Sequence, residues 1–236
     1  MNEAWSNAHA DFMSSLSDSE TDSLMALAKR VSLKKRDLLF EAGDPSRTAF
    51  IVAGGCIKLY QLSPSGKEII LWFSFPGEVF GVAELLQGAD REIFAEANVD
   101  SEVYCISQQK FLDFLRTHPE AAMRAIGILS ARVRTLGSTL VDLASDDVET
   151  RLARFLLRYA AIKTYRPCHH SLSNGEICVN IPFTHQDIAN LIGASRQTVT
   201  STLAGLRRRG AISNIDRHIH ITQPQQLKRM LDPVGL

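Results

Sequence analysis

The sequence predicts an α+β chain in three parts. These are a small antiparallel β-barrel or sandwich, a long helix that packs against a partner helix, and a helix-turn-helix followed by a two-stranded wing. Three observations predict this fold. The first is a series of short β-rich runs between turn residues, and the second is an apolar heptad pattern in mid-chain. The third is charge: residues 1–150 contain 14 Lys and Arg against 22 Asp and Glu, whereas residues 151–236 contain 12 against 4. The basic C-terminal part favours a polyanionic partner, although the whole chain has zero net charge.

The composition excludes several other classes of protein. No apolar run approaches the ~20 residues that a membrane-spanning helix needs, and residues 1–18 lack the basic flank and apolar core of a secretory signal. The four cysteines, Cys56, Cys105, Cys168 and Cys178, form no disulfide framework. We therefore expect a cytoplasmic protein with reduced thiols and no membrane partner.

The N-terminal part predicts one helix and then a series of strands. Ser17 and the acidic residues after it can cap a helix that carries Leu24 and Leu27, over about residues 19–30. Runs of β-branched and aromatic residues then end at turns rich in Gly and Pro, as expected for short antiparallel strands. These runs are residues 38–40, 50–52, 57–62 and 69–75.

A long helix is predicted over residues 119–145. Its apolar residues are spaced alternately by four and three, which is typical of a helix that packs in register against another helix. They are Ala122, Ile126, Leu129, Val133, Leu136, Leu140 and Leu143. We predict that Ile126, Leu129, Val133, Leu136 and Leu140 form a dimer interface; the alternative is burial against the helix's own domain. Ser145-Asp146-Asp147 then interrupts the pattern and can cap a new helix, so the predicted domains are residues 1–118, 119–145 and 146–236.

The basic C-terminal part contains the pattern of a helix-turn-helix. A first helix begins after Thr184, Gly193-Ala194-Ser195 predicts a tight turn, and a second helix buries Val199, Leu203 and Leu206. The polar face of this second helix carries Arg196, Gln197, Thr200 and Ser201. Arg can pair with guanine and Gln with adenine in the major groove. The alternative is an ordinary helical hairpin whose charges are only solvated.

These residues resemble the winged helix-turn-helix of the CRP/FNR transcription regulators. The resemblance covers residues 20–232 in order and includes four upstream motifs, which are Glu41-x-Gly43-Asp44, Gly54-Gly55-x-Ile57-Lys58-Leu59-Tyr60, Pro76-Gly77-Glu78-Val79-Phe80-Gly81 and Asp147-Val148-Glu149-Thr150-Arg151-Leu152. It implies an N-terminal β-roll like a cyclic-nucleotide-binding domain, a long dimerisation helix and a C-terminal DNA reader. It further implies a homodimer on double-stranded DNA, with RNA polymerase as a partner. By matching positions, Thr184, Gln186, Ser195 and Thr198 are expected to contact phosphates or the groove wall.

The same resemblance indicates that this chain lacks the main contacts for a cyclic nucleotide; the alternative is that a shifted loop offers Glu84, three residues beyond Gly81, in place of the missing Glu. Sensors of that kind carry a Glu after the cassette Gly and an Arg-Ser pair for the cyclic phosphate. Here Gly81 is followed by Val82, and Arg91 is followed by Glu92, a carboxylate that repels phosphate. A Thr-Ser pair on the long helix is replaced by Leu136 and Gly137. The expected signal is therefore something other than cAMP or cGMP.

A second branch of the family offers a different effector. Residues 79–82 resemble the matching stretch of the cyanobacterial nitrogen regulator, which senses 2-oxoglutarate through two arginines. The resemblance implies a pocket for a small anion such as a 2-oxo acid, with Phe80, Gly81, Val82, Arg91 and Arg132 as candidates. The alternative is that Arg91 pairs with Glu84, Glu92 or Glu96 and that the pocket is empty or collapsed.

Metal, haem and enzyme chemistry are not expected. No Cys precedes Cys56, which speaks against an N-terminal iron–sulfur cluster, and residues 76–97 contain neither Cys nor His for haem. Cys168, His169, His170 and Cys178 could supply metal ligands, but their spacing is irregular and a plain loop is the preferred interpretation. The alternative to a transcription regulator, whether activator or repressor, is a metabolite-binding barrel or enzyme whose basic tail does not read DNA.

Overall fold

A computed structural model describes residues 11–160, 175–179, 181, 183–215 and 218–231. The chain forms two compact units, Met1–Leu136 and Gly137–Leu236. The long helix α5 (Pro119–Ser145) begins and ends at the predicted residues and contributes to both units. The predicted three-part division treats this helix as an element of its own and stays a prediction. No helix in the described part of the chain is both long and apolar enough to cross a membrane.

The first unit contains two antiparallel sheets. The strands are β1 (Lys29–Leu33), β2 (Leu38–Phe40), β3 (Thr48–Gly54), β4 (Ile57–Leu62), β5 (Glu68–Ser74), β6 (Val79–Phe80), β7 (Phe94–Ala97) and β8 (Ser101–Ser107). One sheet has the strand order β1-β8-β3-β6 and the other β2-β7-β4-β5. The inner side chains of both sheets, among them Phe40, Phe50, Ile57, Leu59 and Val103, form one buried cluster. This is the β-roll that the sequence predicts.

Four short helices accompany the sheets in the described part of the first unit. They are α1 (Phe12–Ser15), α2 (Asp18–Met25), α3 (Ala83–Gln87) and α4 (Gln108–Thr117). Phe12, Leu24, Phe111 and Phe114 pack with residues of α5 and of the β1-β8-β3-β6 sheet in a second buried cluster. A capping box between Ser17 and Glu20 begins α2, as the capping side chains predict.

One predicted boundary in this unit is wrong. The N-terminal helix was expected to continue to about residue 30, but α2 ends at Met25 and strand β1 begins at Lys29. Lys29 pairs with Cys105 and Arg30 with Tyr104 of β8, so pairing with a distant strand outweighs the local helical pattern.

The apolar residues of α5 differ strongly in how far they are buried. Ala121 and Ala125 are buried in the core of the first unit. Seven other large apolar side chains of this helix are between 36% and 69% exposed, namely Met123, Ile126, Val133, Leu136, Leu140, Val141 and Leu143. Leu129 is half-buried. Most of the predicted dimer seam therefore faces away from the chain's own core.

The second unit contains the predicted helix-turn-helix and wing. It contains helices α6 (Val148–Ala160), α7 (His185–Ile192), α8 (Arg196–Arg208) and α9 (Pro224–Leu231) and a small antiparallel sheet. Its strands are β9 (Ile177–Val179), β10 (Ile212–Ile215) and β11 (His218–Ile221), in the order β10-β11-β9. Asp147 caps α6 by accepting a hydrogen bond from the Thr150 N–H at 2.8 Å, and this bond lowers the pKa of the Asp147 carboxyl. The two predicted strands of the wing are thus present, and β9 pairs with β11 as the third strand of the sheet.

Candidate nucleic-acid interface and effector region

Side-chain caps define both helices of the helix-turn-helix. Thr184 accepts a hydrogen bond from the Asp187 N–H at 3.0 Å, and the Asp187 carboxylate accepts one from the Thr184 N–H at 2.8 Å. Ser195 caps α8 by accepting from the Thr198 N–H at 3.0 Å. Between the helices, Gly193 has a φ of 66°, a left-handed conformation that glycine adopts without strain. Two short helices are therefore joined by a sharp turn, as the sequence predicts.

Helix α8 buries one face and exposes the other. Val199, Leu203 and Leu206 are buried on the inner face. The outer face exposes Ser195, Arg196, Gln197, Thr200 and Ser201, and Thr198 is half-buried. The first turn of α8 contains no acidic residue, so the positive end of the helix dipole and the charge of Arg196 add together. This face is chemically suited to a polyanion with hydrogen-bonding edges.

Several predicted contact residues already make local hydrogen bonds. Gln186 donates to the Asn190 side chain at 2.7 Å along α7. Thr200 donates to the Arg196 carbonyl at 2.9 Å, and Ser201 donates to the Thr198 carbonyl at 2.9 Å. These bonds fix the orientation of the hydroxyls on the outer face. The predicted roles of these residues in DNA contact remain predictions.

His185 is a residue of this surface that sequence reasoning missed. Its Nδ1 lies 2.8 Å from the Thr200 hydroxyl oxygen, which links the start of α7 to the outer face of α8. Burial lowers the pKa of His185, and the positive charges of Arg207 and Arg196 lower it further. Its place directly after the cap Thr184 was the available signal, but the partner Thr200 is 15 residues away.

The three arginines at the end of α8 differ in their surroundings. All three are exposed, but Arg209 forms an ion pair with Glu149 of α6. Arg207 and Arg208 project from the last turn of α8. Arg209 is therefore partly committed to holding α6 and α8 together.

In the first unit, the predicted effector residue Arg91 is buried and surrounded by the chain's own groups. It is 3% exposed, and its guanidinium donates to the carbonyl oxygens of Gly81, at 2.8 Å, and Thr48. Nη1 also lies 3.5 Å from the Glu84 carboxylate. Burial lowers the pKa of Arg91, and the nearby charge of Glu84 opposes this shift. Pairing with Glu84 is one of the alternatives that the sequence left open.

Aromatic rings complete the surroundings of Arg91. Its guanidinium carbon lies 4.4 Å from the ring centre of Phe40 and 5.6 Å from that of Phe50. Phe50 in turn stacks on Phe80, with ring centres 5.4 Å apart. Gly81 has a φ of 67°, and a Cβ there would lie 2.9 Å from Arg91 Nη1. The neighbouring Val82 is buried, so this part of the β-roll is filled by protein side chains.

The second predicted effector arginine, Arg132 of α5, has a different set of partners. Its Nη2 lies 3.1 Å from the Glu78 carboxylate and 3.4 Å from the Ser74 hydroxyl. Its guanidinium carbon lies 4.6 Å from the ring of Trp72. Both Arg132 and Glu78 have side chains that are nearly buried, at 12% and 5% exposure. Arg91 and Arg132 are thus each paired with a separate carboxylate of the same chain.

Metal ligands do not gather in the part of the chain that the structure describes. There, no group of three or more His, Cys, Asp or Glu side chains is arranged to hold an ion. Cys178 of β9 has its Sγ 3.7 Å from Nε2 of His220 in β11. Its predicted companions Cys168, His169 and His170 lie outside the described residues.

Comparison with known proteins matches both units. The model of the cyclic nucleotide-binding domain family matches residues 30–118, and that of the Crp-like helix-turn-helix domain matches residues 150–230. The chain is 30% identical over 193 residues to the global nitrogen regulator of Synechococcus elongatus, covering 81% of this chain and 84% of that protein. It is 26% identical over 213 residues to the CRP-like cAMP-activated global transcriptional regulator of Mycobacterium tuberculosis, covering 89% and 92%. The structure of FixK2 from Bradyrhizobium japonicum has the same fold, with a TM-score of 0.73 at 22% identity over 86% of this chain and 96% of that one.

Proposed function

Since the chain belongs to the CRP/FNR family of DNA-binding transcription regulators, we propose that it acts as a homodimer on a two-fold-symmetric operator. The observation that carries this proposal is the outer face of α8, where Arg196 and Gln197 are exposed at the positive end of a capped helix. We expect the two half-sites to lie about one helical turn apart, so that both readers enter the major groove on one side of the duplex. The proposed location is the cytoplasm, with RNA polymerase as a partner.

Base recognition is assigned to the first turn of α8. The fork of Arg196 matches O6 and N7 of guanine, and the amide of Gln197 suits adenine. Thr200 and Ser201 lie one turn further along the same face, with short hydroxyls that reach less far than arginine. We propose that Thr184, Gln186, Ser195 and Thr198 contact phosphates near the two helix N-termini, where backbone N–H groups and the helix dipole favour anions.

Dimerisation is assigned to α5. Its exposed apolar stripe spans Met123 to Leu143, and a single chain leaves this stripe in contact with water. Pairing of two such stripes in a coiled coil would cover Ile126, Leu129, Val133, Leu136 and Leu140. Residues of the same helix belong to both compact units. We therefore propose that a change in the packing of α5 alters the position of α8.

The proposed signal is not a cyclic nucleotide. The names of the relatives indicate different signals, because one is called cAMP-activated and another is called a nitrogen regulator. In this chain Arg91 is held by Gly81, Thr48 and Glu84, so a cyclic phosphate would have to displace a buried carboxylate and two carbonyls. A 2-oxo acid would face the same competition at Arg91 and, from Glu78, at Arg132.

Two experiments test this function. Selection of binding sites from a random DNA library should give an inverted repeat, and a failure to enrich any sequence would contradict the assignment of α8 as a reader. Calorimetry with millimolar cAMP or cGMP should show no saturable heat. Tight binding of either nucleotide, or DNA binding that requires it, would overturn the proposed signal class.

A further inference from the structure

His185 joins the two helices of the helix-turn-helix through a hydrogen bond whose direction the neighbouring groups decide. The Thr200 hydroxyl donates its proton to the Arg196 carbonyl at 2.9 Å. Its oxygen is left to accept a hydrogen bond, so Nδ1 of His185, at 2.8 Å, is the donor. A neutral imidazole with its proton on Nδ1 has an Nε2 that carries no proton and only accepts.

The other ring nitrogen, Nε2, is the atom of His185 that is open to a ligand. The side chain as a whole is half-buried. Nε2 makes no hydrogen bond with the described residues, yet it is not one of the buried polar atoms that lack a partner. It is therefore accessible to solvent, between Thr184 and Gln186, which are both exposed. These two neighbours are already assigned to phosphate contacts in the proposed function.

The charges that act on His185 in the free chain favour its neutral form. Burial lowers the pKa of the imidazole, and the positive charges of Arg207 and Arg196 on α8 lower it further. On α7 itself, the carboxylate of Asp187 accepts hydrogen bonds from the N–H and the hydroxyl of Thr184, at 2.8 and 2.6 Å. Among the described residues, no carboxylate raises the pKa of His185. An added negative charge would therefore be the first to favour the protonated ring.

We propose that His185 contacts a DNA backbone phosphate in its protonated form, so that the reader takes up a proton when it binds DNA. A phosphate oxygen only accepts hydrogen bonds, and Nε2 of the neutral ring has none to donate. Protonation makes Nε2 a donor, while Nδ1 keeps its bond to Thr200. The charge of the phosphate favours the protonated ring and opposes the effect of Arg196 and Arg207. The inference rests on the proposed function, because it adds a contact to the same reader.

The bond to Thr200 ties this contact to the residue that is proposed to read a base. Thr200 lies one turn after Arg196 on α8 and is bonded to its carbonyl oxygen. The imidazole is thus held at a fixed place relative to the first turn of α8. A phosphate bound at Nε2 fixes the DNA backbone relative to Arg196, which is how backbone contacts set the register of base recognition.

The test measures the affinity of the full chain for its selected operator by fluorescence anisotropy, between about pH 8 and about pH 6 at constant salt. Because the complex holds more protons than the free chain, the affinity should rise as the pH falls. Each proton taken up contributes at most about tenfold per pH unit, and we expect a total rise of about tenfold over this range. The salt slope should also become steeper by about one for each protonated histidine. An affinity that is independent of pH would contradict the proposal.

Three variants assign the pH dependence to one histidine. His185→Asn keeps a donor for Thr200 but cannot be protonated, so its affinity should stay near the wild-type value at high pH throughout. His185→Arg has a permanent charge and should bind at every pH about as tightly as the wild type at low pH. His118→Asn, at the end of α4 in the first unit, is the control and should keep the wild-type profile. A wild-type profile in either His185 variant would refute the assignment.

Selection of binding sites at both ends of the pH range separates a phosphate contact from a base contact. A phosphate contact leaves the selected motif the same at both pH values. A motif that changes with pH in the wild type but not in His185→Asn would place His185 on a base and rule out the phosphate contact. Failure to enrich any motif at either pH would contradict the proposed function itself, and this inference with it.

Discussion

Arg91 and Arg196 show how differently the two units use the same side chain. Arg91 is buried beside two aromatic rings, two carbonyl oxygens and Glu84, so its charge and its donors are satisfied inside the β-roll. Arg196 is exposed on the first turn of α8, which contains no acidic residue. The number of basic residues in a region therefore says less about its partner than the degree to which the chain's own acceptors occupy them.

The first prediction, with the largest expected effect, concerns the exposed apolar residues of α5, the helix that contributes to both units. Val133→Asp with Leu140→Asp introduces charges at two positions that are each 69% exposed, so the folded chain should tolerate them. We expect monomers and a loss of operator affinity of more than about 100-fold. The reason is that a monomer contacts one half-site at a time, whereas a dimer binds both half-sites together. Light scattering and gel shift measure the two effects together. Lys110→Asp, an exposed change on α4, is the control, and a wild-type monomer would contradict the dimer assignment.

The second prediction concerns the filled interior of the β-roll. Arg91→Met removes the donor to Gly81, Thr48 and Glu84 and should lower the free energy of unfolding by about 3 kcal/mol, the usual cost of breaking a buried pair from one side. Glu84→Gln should cost less, because Arg91 keeps its two carbonyl acceptors. Urea unfolding measures both variants. If Arg91→Met were as stable as the wild type, the arginine would not be a structural element of the barrel.

The third prediction concerns the exposed arginines of the reader. Arg196→Ala should relax specificity at one guanine by about 1–3 kcal/mol. Arg208→Ala should instead weaken binding to all sequences alike and lower the salt slope by about one if it contacts a phosphate. Binding-site selection and salt titrations separate the two outcomes. An unchanged selected motif with Arg196→Ala would mean that α8 is not the reader.

The smallest expected effect is a pH dependence at His185. Its pKa is lowered by burial and by Arg207 and Arg196, so the folded state favours neutral imidazole. The unfolded state has the ordinary pKa of about 6.5 and binds more protons below it. The contribution of His185 to stability is therefore present above about pH 6.5 and is lost as the pH falls through the lower folded value. Urea unfolding between about pH 7 and pH 5 should show a steeper loss for the wild type than for His185→Asn. Parallel curves would contradict the shift.

Local patterns predicted most of the fold. The bounds of α5 follow from Pro119, the heptad spacing and the interrupting Ser145 and Asp146, all of which act within a few residues. The caps Thr184 and Ser195 and the turn at Gly193 are equally local, and the structure places them as expected. These features depend on backbone chemistry that the sequence displays directly.

The parts that sequence did not predict depend on distant partners. Strand β1 begins at Lys29 because β8, more than 70 residues later, pairs with it. The partner of Arg91 is a second example. Thr48 and the rings of Phe40 and Phe50 also contact this arginine, but they lie more than 40 positions earlier in the sequence, so a local pattern does not show that they meet. A small pocket lined by Leu143 of α5, Arg151 of α6 and Leu191 of α7 likewise exists only because three helices meet there.

The exposed apolar stripe of α5 also has a consequence for gene dosage. In the proposed dimer, the fraction of chains able to occupy an operator follows mass action. Below the dimer Kd, doubling the synthesis of the chain quadruples the concentration of dimer. If the seven exposed side chains of α5 form the dimer interface, promoter occupancy depends steeply on the number of chains in the cell. The abundance of the regulator then controls transcription in addition to any ligand.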